Sequence, residues 1–228
     1  MRSAPLTALL SRFMLLAVAT IALPSFPALA TEMAMSPHEP DYQCDPPVTQ
    51  LDMNFCARDR WQAEDDRLDA LYERLEPTLS DLAATALAEA QLAWAEYRDA
   101  ECEFATSAYM GGSIAPLIYH DCRQALTAAR ADELAAYIDD RRPDAERSDF
   151  EELEGEQRAA LYTLYFHMAS NVPRSEDLSA ADTAWTNYRY TVCELESILG
   201  QTSGRQNCRL RVTEQRLARL QNYLEQRR

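Results

Sequence analysis

Apolar positions recur along this chain at helical intervals. Leu68, Leu71, Tyr72 and Leu75 fall at i, i+3, i+4 and i+7 behind Thr49, a good N-cap residue, and Pro77 stops the run. Ser80 opens a second pattern that carries Leu82, Ala86, Ala90, Trp94, Tyr97, Glu101 and Phe104 along one side and ends at Gly111-Gly112-Ser113. Pro116 then opens a third, with Leu117, Cys122, Leu126, Arg130, Leu134 and Tyr137 on one stripe. The scheme recurs over 153–168, 176–199 and 207–226, with Gly200 to Gly204 as its loop. Five glycines and few β-branched runs leave little room for a sheet. The expected fold is all-α, two tandem disulfide-stapled antiparallel units of about three helices each.

The repetition extends to rare residues. At an offset of 91, Leu87, Ala90, Trp94, Tyr97, Arg98 and Cys102 match Leu178, Ala181, Trp185, Tyr188, Arg189 and Cys193. Past a variable loop the register resumes at an offset of 86, where Cys122-Arg123, Thr127, Arg130, Leu134 and Tyr137 match Cys208-Arg209, Thr213, Arg216, Leu220 and Tyr223. W-x-x-Y-R-x-x-x-C occurring twice in order reads as internal duplication. It divides the chain into a first unit at 44–138, an acidic linker at 139–152 and a second, degenerate unit at 153–228.

Residues 1–30 change the compartment. Arg2 and Arg12 flank the apolar run Phe13 to Leu23, and Ala28-Leu29-Ala30 offers small residues at a cleavage site, so this stretch reads as a signal peptide cut after Ala30. Residues 31–43 would follow as a flexible N-terminal segment. Pro24 and Pro27 speak against a retained anchor. The mature protein is expected to be periplasmic or secreted and free of the membrane.

Charge narrows the partners. The net charge is -15, every basic residue is arginine, and the sequence pI is about 4.6. Phosphate backbones would be repelled, which excludes nucleic acid and favours a basic partner. From Cys44 to Ile138 there are 18 acids and 7 arginines, a net of -11; Asp139 to Glu156 adds -6, and Gln157 to Arg228 carries +3. The asymmetry fits an acidic docking face and equally two halves that attract each other.

Six cysteines in an exported chain read as three disulfides. Cys193 and Cys208 stand alone in the second unit and can satisfy each other. By equivalence Cys102 pairs with Cys122, leaving Cys44 with Cys56; a crossed pairing that involves Cys44 and Cys56 stays open. Closing the loop at Cys102–Cys122 is worth roughly 3 kcal/mol on a chain-entropy estimate. The cysteine gaps exceed C-x-x-C, and His38, His120 and His167 lie far apart, so neither a metal nor another cofactor is expected.

The first half resembles the LprI N-terminal-like family of small exported bacterial domains, whose name comes from a lysozyme-inhibiting lipoprotein. The resemblance rests on Thr49-x-x-x-x-Asn54-x-Cys56, Asp66-x-Leu68-x-x-x-Tyr72 and Gln91-x-x-Trp94-x-x-Tyr97-Arg98-x-x-x-Cys102, followed by Gly111-Gly112-Ser113, Cys122 and Thr127-x-x-Arg130-x-x-x-Leu134. Asp69 stands where the family often has Asn. The second half follows the pattern only in its later two helices, without counterparts of Cys44 and Cys56 and with Asp182 in place of Gln91. The resemblance implies an all-helical fold, no catalytic residues, and a basic partner such as lysozyme.

Two sets of residues are then candidates for function. Trp94, Tyr97, Arg98, Arg130, Trp185, Tyr188, Arg189 and Arg216 could form a site, but aromatics at helical spacing usually pack a seam, and arginine suits a partly buried ion pair. The loop from Thr106 to Tyr119, pinned by Cys102–Cys122 and carrying Ile114, Leu117 and Ile118, is the candidate binding element, because a preorganised loop loses less entropy on docking. Catalysis would need a nucleophile with a poised base. His120-Asp121 has no evident partner, His167 reads as a packed histidine, and pairs such as Asp65-Asp66 or Glu101/Glu103 read as a solvated face. The chain is therefore read as non-enzymatic: a lysozyme-inhibitor-like binder, or an accessory domain of the envelope whose acidity serves solubility.

Overall fold

A computed structural model describes residues 41–141, 144–168, 170–200 and 204–226. The predicted signal peptide and nearly all of segment 31–43 lie outside these residues. Six long helices account for most of the described chain: α1 Gln50–Leu75, α2 Asp81–Ser107, α3 Ala115–Ile138, α4 Phe150–His167, α5 Val172–Ile198 and α6 Gly204–Glu225. No strand occurs among the described residues.

The helix starts follow local chemistry. Thr49 Oγ1 accepts from the Asp52 N–H at 3.1 Å, and the Asp52 carboxylate accepts from the N–H groups of Thr49 (2.9 Å), Val48 (3.1 Å) and Gln43 (3.3 Å). That capping box satisfies otherwise orphaned donors at the helix start and holds the Asp52 carboxyl below its ordinary range. Ser80, Asp149 and Asn171 cap α2, α4 and α5 by a single side-chain bond from the N–H three residues on, and proline opens α3 and α5. Helix α2 ends at Ser107, short of the expected Gly111-Gly112-Ser113. In its last turn the Thr106 and Ser107 hydroxyls donate back to the carbonyls of Cys102 and Phe104, each at 2.7 Å. Leu82, expected on the buried stripe of α2, is exposed, because the buried face at the start of the helix runs through Ala83, Ala86 and Leu87 instead.

Three disulfides join Cys44 to Cys56, Cys102 to Cys122 and Cys193 to Cys208, with Cα–Cα separations of 5.6, 5.5 and 5.4 Å. The second staples the end of α2 to α3, and the third staples α5 to α6.

Helix packing repeats across the two halves. Helix α1 packs on α3 as α4 packs on α6; α2 contacts α3 as α5 contacts α6. Matched side chains make matched contacts. Arg123 of α3 lies over the Trp61 ring of α1 at 3.9 Å, and Arg209 of α6 lies over the Phe150 ring of α4 at 4.1 Å. Arg98 bridges from α2 to Asp65 of α1 at 3.2 Å, and Arg189 from α5 to Glu154 of α4 at 3.1 Å. Each of these two arginines also covers the tryptophan of its own helix, at 5.0 Å over Trp94 and 4.6 Å over Trp185.

The most extensive pairing of all is α2 with α5, which joins the halves. One core cluster runs through that seam, from Leu68, Leu87 and Trp94 to Trp185, Val192 and Val212, with the Tyr97 and Tyr188 rings stacked at 5.7 Å. The acidic stretch before α4 is tied onto α6: Ala145 N–H donates to Asn207 Oδ1 at 2.6 Å, and Arg147 N–H to Glu214 Oε1 at 2.6 Å. Asp41–Arg228 accordingly form one compact unit.

A shared core implies shared cooperativity. Trp94→Ala and Trp185→Ala should each cost about 3–5 kcal/mol, as large-to-small core substitutions do. Calorimetry should show a single transition that moves as a whole in either variant. Two transitions, only one of them displaced, would mean that the halves fold separately.

Candidate functional site

Helices α3 and α6 stand on either side of the α2/α5 seam without packing closely on each other, and a cavity of about 350 Å³ opens between them. Trp94 and Tyr97 of α2 and Trp185 and Tyr188 of α5 line it, so the repeated W-x-x-Y element of both halves converges on one place. Arg130 of α3 and Arg211, Arg216 and Arg219 of α6 also line it, while Ala129, Asp132 and Gln215 lie at its exposed edge.

The arginines cross the seam. Arg130 lies 5.8 Å from the centroid of Tyr188, in the other half, and Arg216 lies 5.9 Å from Tyr97, again in the other half. Both are 1% exposed, which requires partners for their charges. Arg130 donates through Nη1 to Glu133 and through Nε to Gln91 Oε1 at 3.1 Å. Glu133 further accepts from Arg211 at 2.8 Å and from Tyr188 OH at 3.1 Å, and Arg211 continues to Glu196, which accepts from Tyr137 OH at 2.7 Å. On the other side Arg216 donates to Glu101, which also accepts from Tyr223 OH at 2.8 Å and has Arg219 at 3.9 Å. Asp182 faces Arg216 at 3.8 Å from the position where Gln91 serves Arg130. The substitution noted in the sequence thus falls on a partner of the buried arginine.

Burial and charge pull these groups apart electrostatically. Desolvation alone would raise the Glu133 carboxyl, but the Arg130 and Arg211 guanidiniums outweigh it and hold it at about 2. Asp182 goes the other way: burial raises its carboxyl, and Arg216 at its longer distance only partly opposes this. Burial raises the Tyr97 and Tyr188 hydroxyls, with Glu101 and Glu133 respectively adding to the effect.

Sequence reasoning placed the aromatics and Arg130 and Arg216 on a packed seam, and missed most of their partners. Glu101 is fully buried while Glu103 is exposed, so Glu101 is no solvated carboxylate. Its place on the apolar stripe with Trp94, Tyr97 and Phe104 was the available signal. His167 is exposed at the end of α4, where the stripe already faces the core through Leu164 and Met168. His120 stacks on Trp61 at 5.8 Å, and burial lowers its imidazole pKa. Among the described residues no group of His, Cys, Asp and Glu is placed to hold a metal ion.

The disulfide-pinned loop is the second element. Its tip runs through Tyr109, Met110 and Ile114, all exposed, with Met110 at 75%. Leu117 and Ile118 are half-buried in the first turns of α3. Asn54 of α1 donates to the Ser113 carbonyl at 3.1 Å, and the Gly112 N–H donates to Tyr109 at 2.9 Å. Gly111 has a φ of +81°, which disfavours other residues, and a Cβ on Gly112 would sit 3.1 Å from the Tyr109 carbonyl. The loop is held at both ends and in the middle.

A family profile described as lysozyme inhibitor LprI matches residues 44–134. An uncharacterized protein of Rhizobium meliloti (strain 1021) is 34% identical over 42% of this chain and 78% of its own length. The crystal structure of an uncharacterized protein from Burkholderia thailandensis superposes with a TM-score of 0.55 at 20% identity, covering 78% of this chain and 88% of that one. At that identity the likeness concerns the fold, and its coverage extends well beyond residues 44–134.

The buried network predicts a pH-dependent stability. The Glu133 carboxyl is depressed on folding, so its contribution is full above about pH 4.5 and is lost as pH falls toward 2. Glu133→Gln should cost about 3–5 kcal/mol at neutral pH by leaving the buried Arg130 without a carboxylate and Arg211 with Glu196 alone. Denaturant titrations at pH 7 and pH 3 should show that gap narrowing in acid; a gap that stays constant would mean that Glu133 is not ionised in the fold.

Proposed function

The chain belongs to the lysozyme inhibitor LprI family, and on that footing we propose that it is an exported, non-enzymatic binder of a basic wall-acting protein of the lysozyme kind. The observation that carries the reading is the loop: an apolar tip, Tyr109, Met110 and Ile114, on a scaffold fastened by Cys102–Cys122 and Asn54. A preorganised apolar tip suits insertion into a concave cleft, because little conformational entropy remains to be lost. The net of -11 over Cys44 to Ile138 would steer a cationic partner toward it. Ile114 belongs to the tip, and Leu117 and Ile118 follow it, half-buried, in the first turns of α3.

Export is supported by the leader-like residues 1–30, by cleavage chemistry at Ala30 and by three disulfides, which require an oxidising compartment. No described helix is long and apolar enough to cross a membrane. The matched contacts of Arg98 with Arg189 and of Arg123 with Arg209 support a duplicated unit, 44–138 and 153–228, with 139–152 between them.

The protein should inhibit a cationic lysozyme acting on a cell-wall suspension, more strongly at low salt than at high. Salt sensitivity alone is not diagnostic, since any acidic protein attracts lysozyme. Changing Tyr109, Met110 and Ile114 together to Ser leaves the net charge untouched and should weaken inhibition by about tenfold or more, the loss of about 1.4 kcal/mol of contact. If the folded triple variant inhibits as well as the wild type, the loop is not the contact; if the wild type does not inhibit at low salt, an accessory envelope role replaces the binder.

A further inference from the structure

The cavity between α3 and α6 has no part in the loop-mediated reading, yet it is built like a ligand site. Its volume of about 350 Å³ lies at the small-molecule scale. Aromatic surface from Trp94, Tyr97, Trp185 and Tyr188 forms one side of its chemistry. Donors in excess of acceptors form the other. Arg130 Nη2 and Arg216 Nε and Nη2 have no hydrogen-bond partner among the described residues, although both side chains are 99% buried. Leaving a buried charged donor unmatched is costly, and the fold leaves three such positions on two arginines that line one cavity.

The local charge points the same way. Arg130, Arg211, Arg216 and Arg219 bring four guanidiniums. Glu133, Glu196 and Glu101 are committed to them, and Asp132 at the rim is paired outward with Arg67. Asp182 Oδ1 stands 3.8 Å from Arg216 Nη2, beyond hydrogen-bond length, and makes no hydrogen bond of its own. The surroundings therefore leave buried guanidinium N–H groups short of acceptor oxygens, beside the aromatic side chains of the lining. A planar carboxylate matches the guanidinium fork in both charge and geometry.

We propose that this cavity binds a small amphipathic organic anion, a carboxylate with an aromatic or apolar body, whose oxygens take the free N–H groups of Arg130 and Arg216 while its body lies against the tryptophans and tyrosines. The two halves supply one arginine each, so the site exists only in the paired fold. It is separate from the loop, and its test does not involve lysozyme.

Isothermal titration of the purified, disulfide-intact protein with benzoate, 1-naphthoate and indole-3-acetate tests the proposal. At least one should bind at one site per chain, about tenfold or more tighter than its neutral carboxamide, the difference expected for charge-assisted hydrogen bonds. Arg130→Gln and Arg216→Gln should abolish that preference. Because each also removes a buried charge, Ala129→Trp provides the control. Ala129 is exposed at the edge of the cavity, so the indole should obstruct the mouth, leave the melting temperature unchanged and eliminate binding. Equal binding of acid and amide would mean an apolar cavity without anion recognition. Inorganic phosphate binding as tightly as the aromatic acids would mean a charge site without the apolar component. Undisturbed binding in Ala129→Trp would put the ligand outside the cavity, and no binding of any of the three acids at millimolar concentration would mean that the cavity recognises none of them. Each of these outcomes overturns the proposal.

Discussion

The fold depends on two arginines that each half extends beneath a tyrosine of the other. Arg130 and Arg216 are almost wholly buried, and a buried guanidinium is tolerable only when carboxylates and ring faces surround it. Part of that surrounding comes from across the seam. Tyr188, which stands over Arg130, also donates to Glu133; Glu101 of α2 accepts from Arg216 of α6. Pulling the halves apart would take Glu101 from Arg216, and Tyr188 from Arg130 and Glu133. The α2/α5 pairing is thus enforced by electrostatics as well as by apolar area, and the stacked Tyr97 and Tyr188 rings mark where the two requirements meet.

Around this centre the disulfides and outer helices act locally. Each of Cys102–Cys122 and Cys193–Cys208 closes a short excursion between the second and third helices of its half, so each constrains a loop and not the seam. In the first half the excursion is long enough to present Tyr109, Met110 and Ile114, and Asn54 holds it to α1. A rigid scaffold with an apolar loop at its edge is the arrangement that recognition of a cleft requires. The cavity on the seam is instead defined by the inner faces of helices. The two features share no residue.

Particular residues show how far the sequence could be read. The caps at Thr49 and Ser80 and the proline openings were legible because each is decided within a few residues, and Cys102–Cys122 and Cys193–Cys208 because their spacing recurs; Cys44–Cys56, without a counterpart, was settled only by the structure. Glu101 was read two ways, as one of the apolar stripe and as one of a solvated pair, and the structure places it on the stripe with no exposure. Its burial depends on Arg216, 115 residues away in the chain, which no local pattern can announce. His167 looked packed by its neighbours, but its helix position turns it outward. Met110, the most exposed part of the loop tip, carried no periodic signal at all.

The sequence by itself determined the helices, their caps and stops, the resemblance of the first half to its family, and the recurrence of W-x-x-Y-R in both halves, since these follow from side-chain spacing and short-range hydrogen bonding. Only the tertiary structure decided that both copies of that element face one another, that Arg130 reaches across the seam to Tyr188 and Arg216 to Tyr97 and Glu101, and that α3 and α6 stay apart enough to leave a cavity between them. Those outcomes depend on how desolvation of charge is compensated over long sequence separations. That balance is set by three-dimensional proximity, and spacing along one helix carries no record of it.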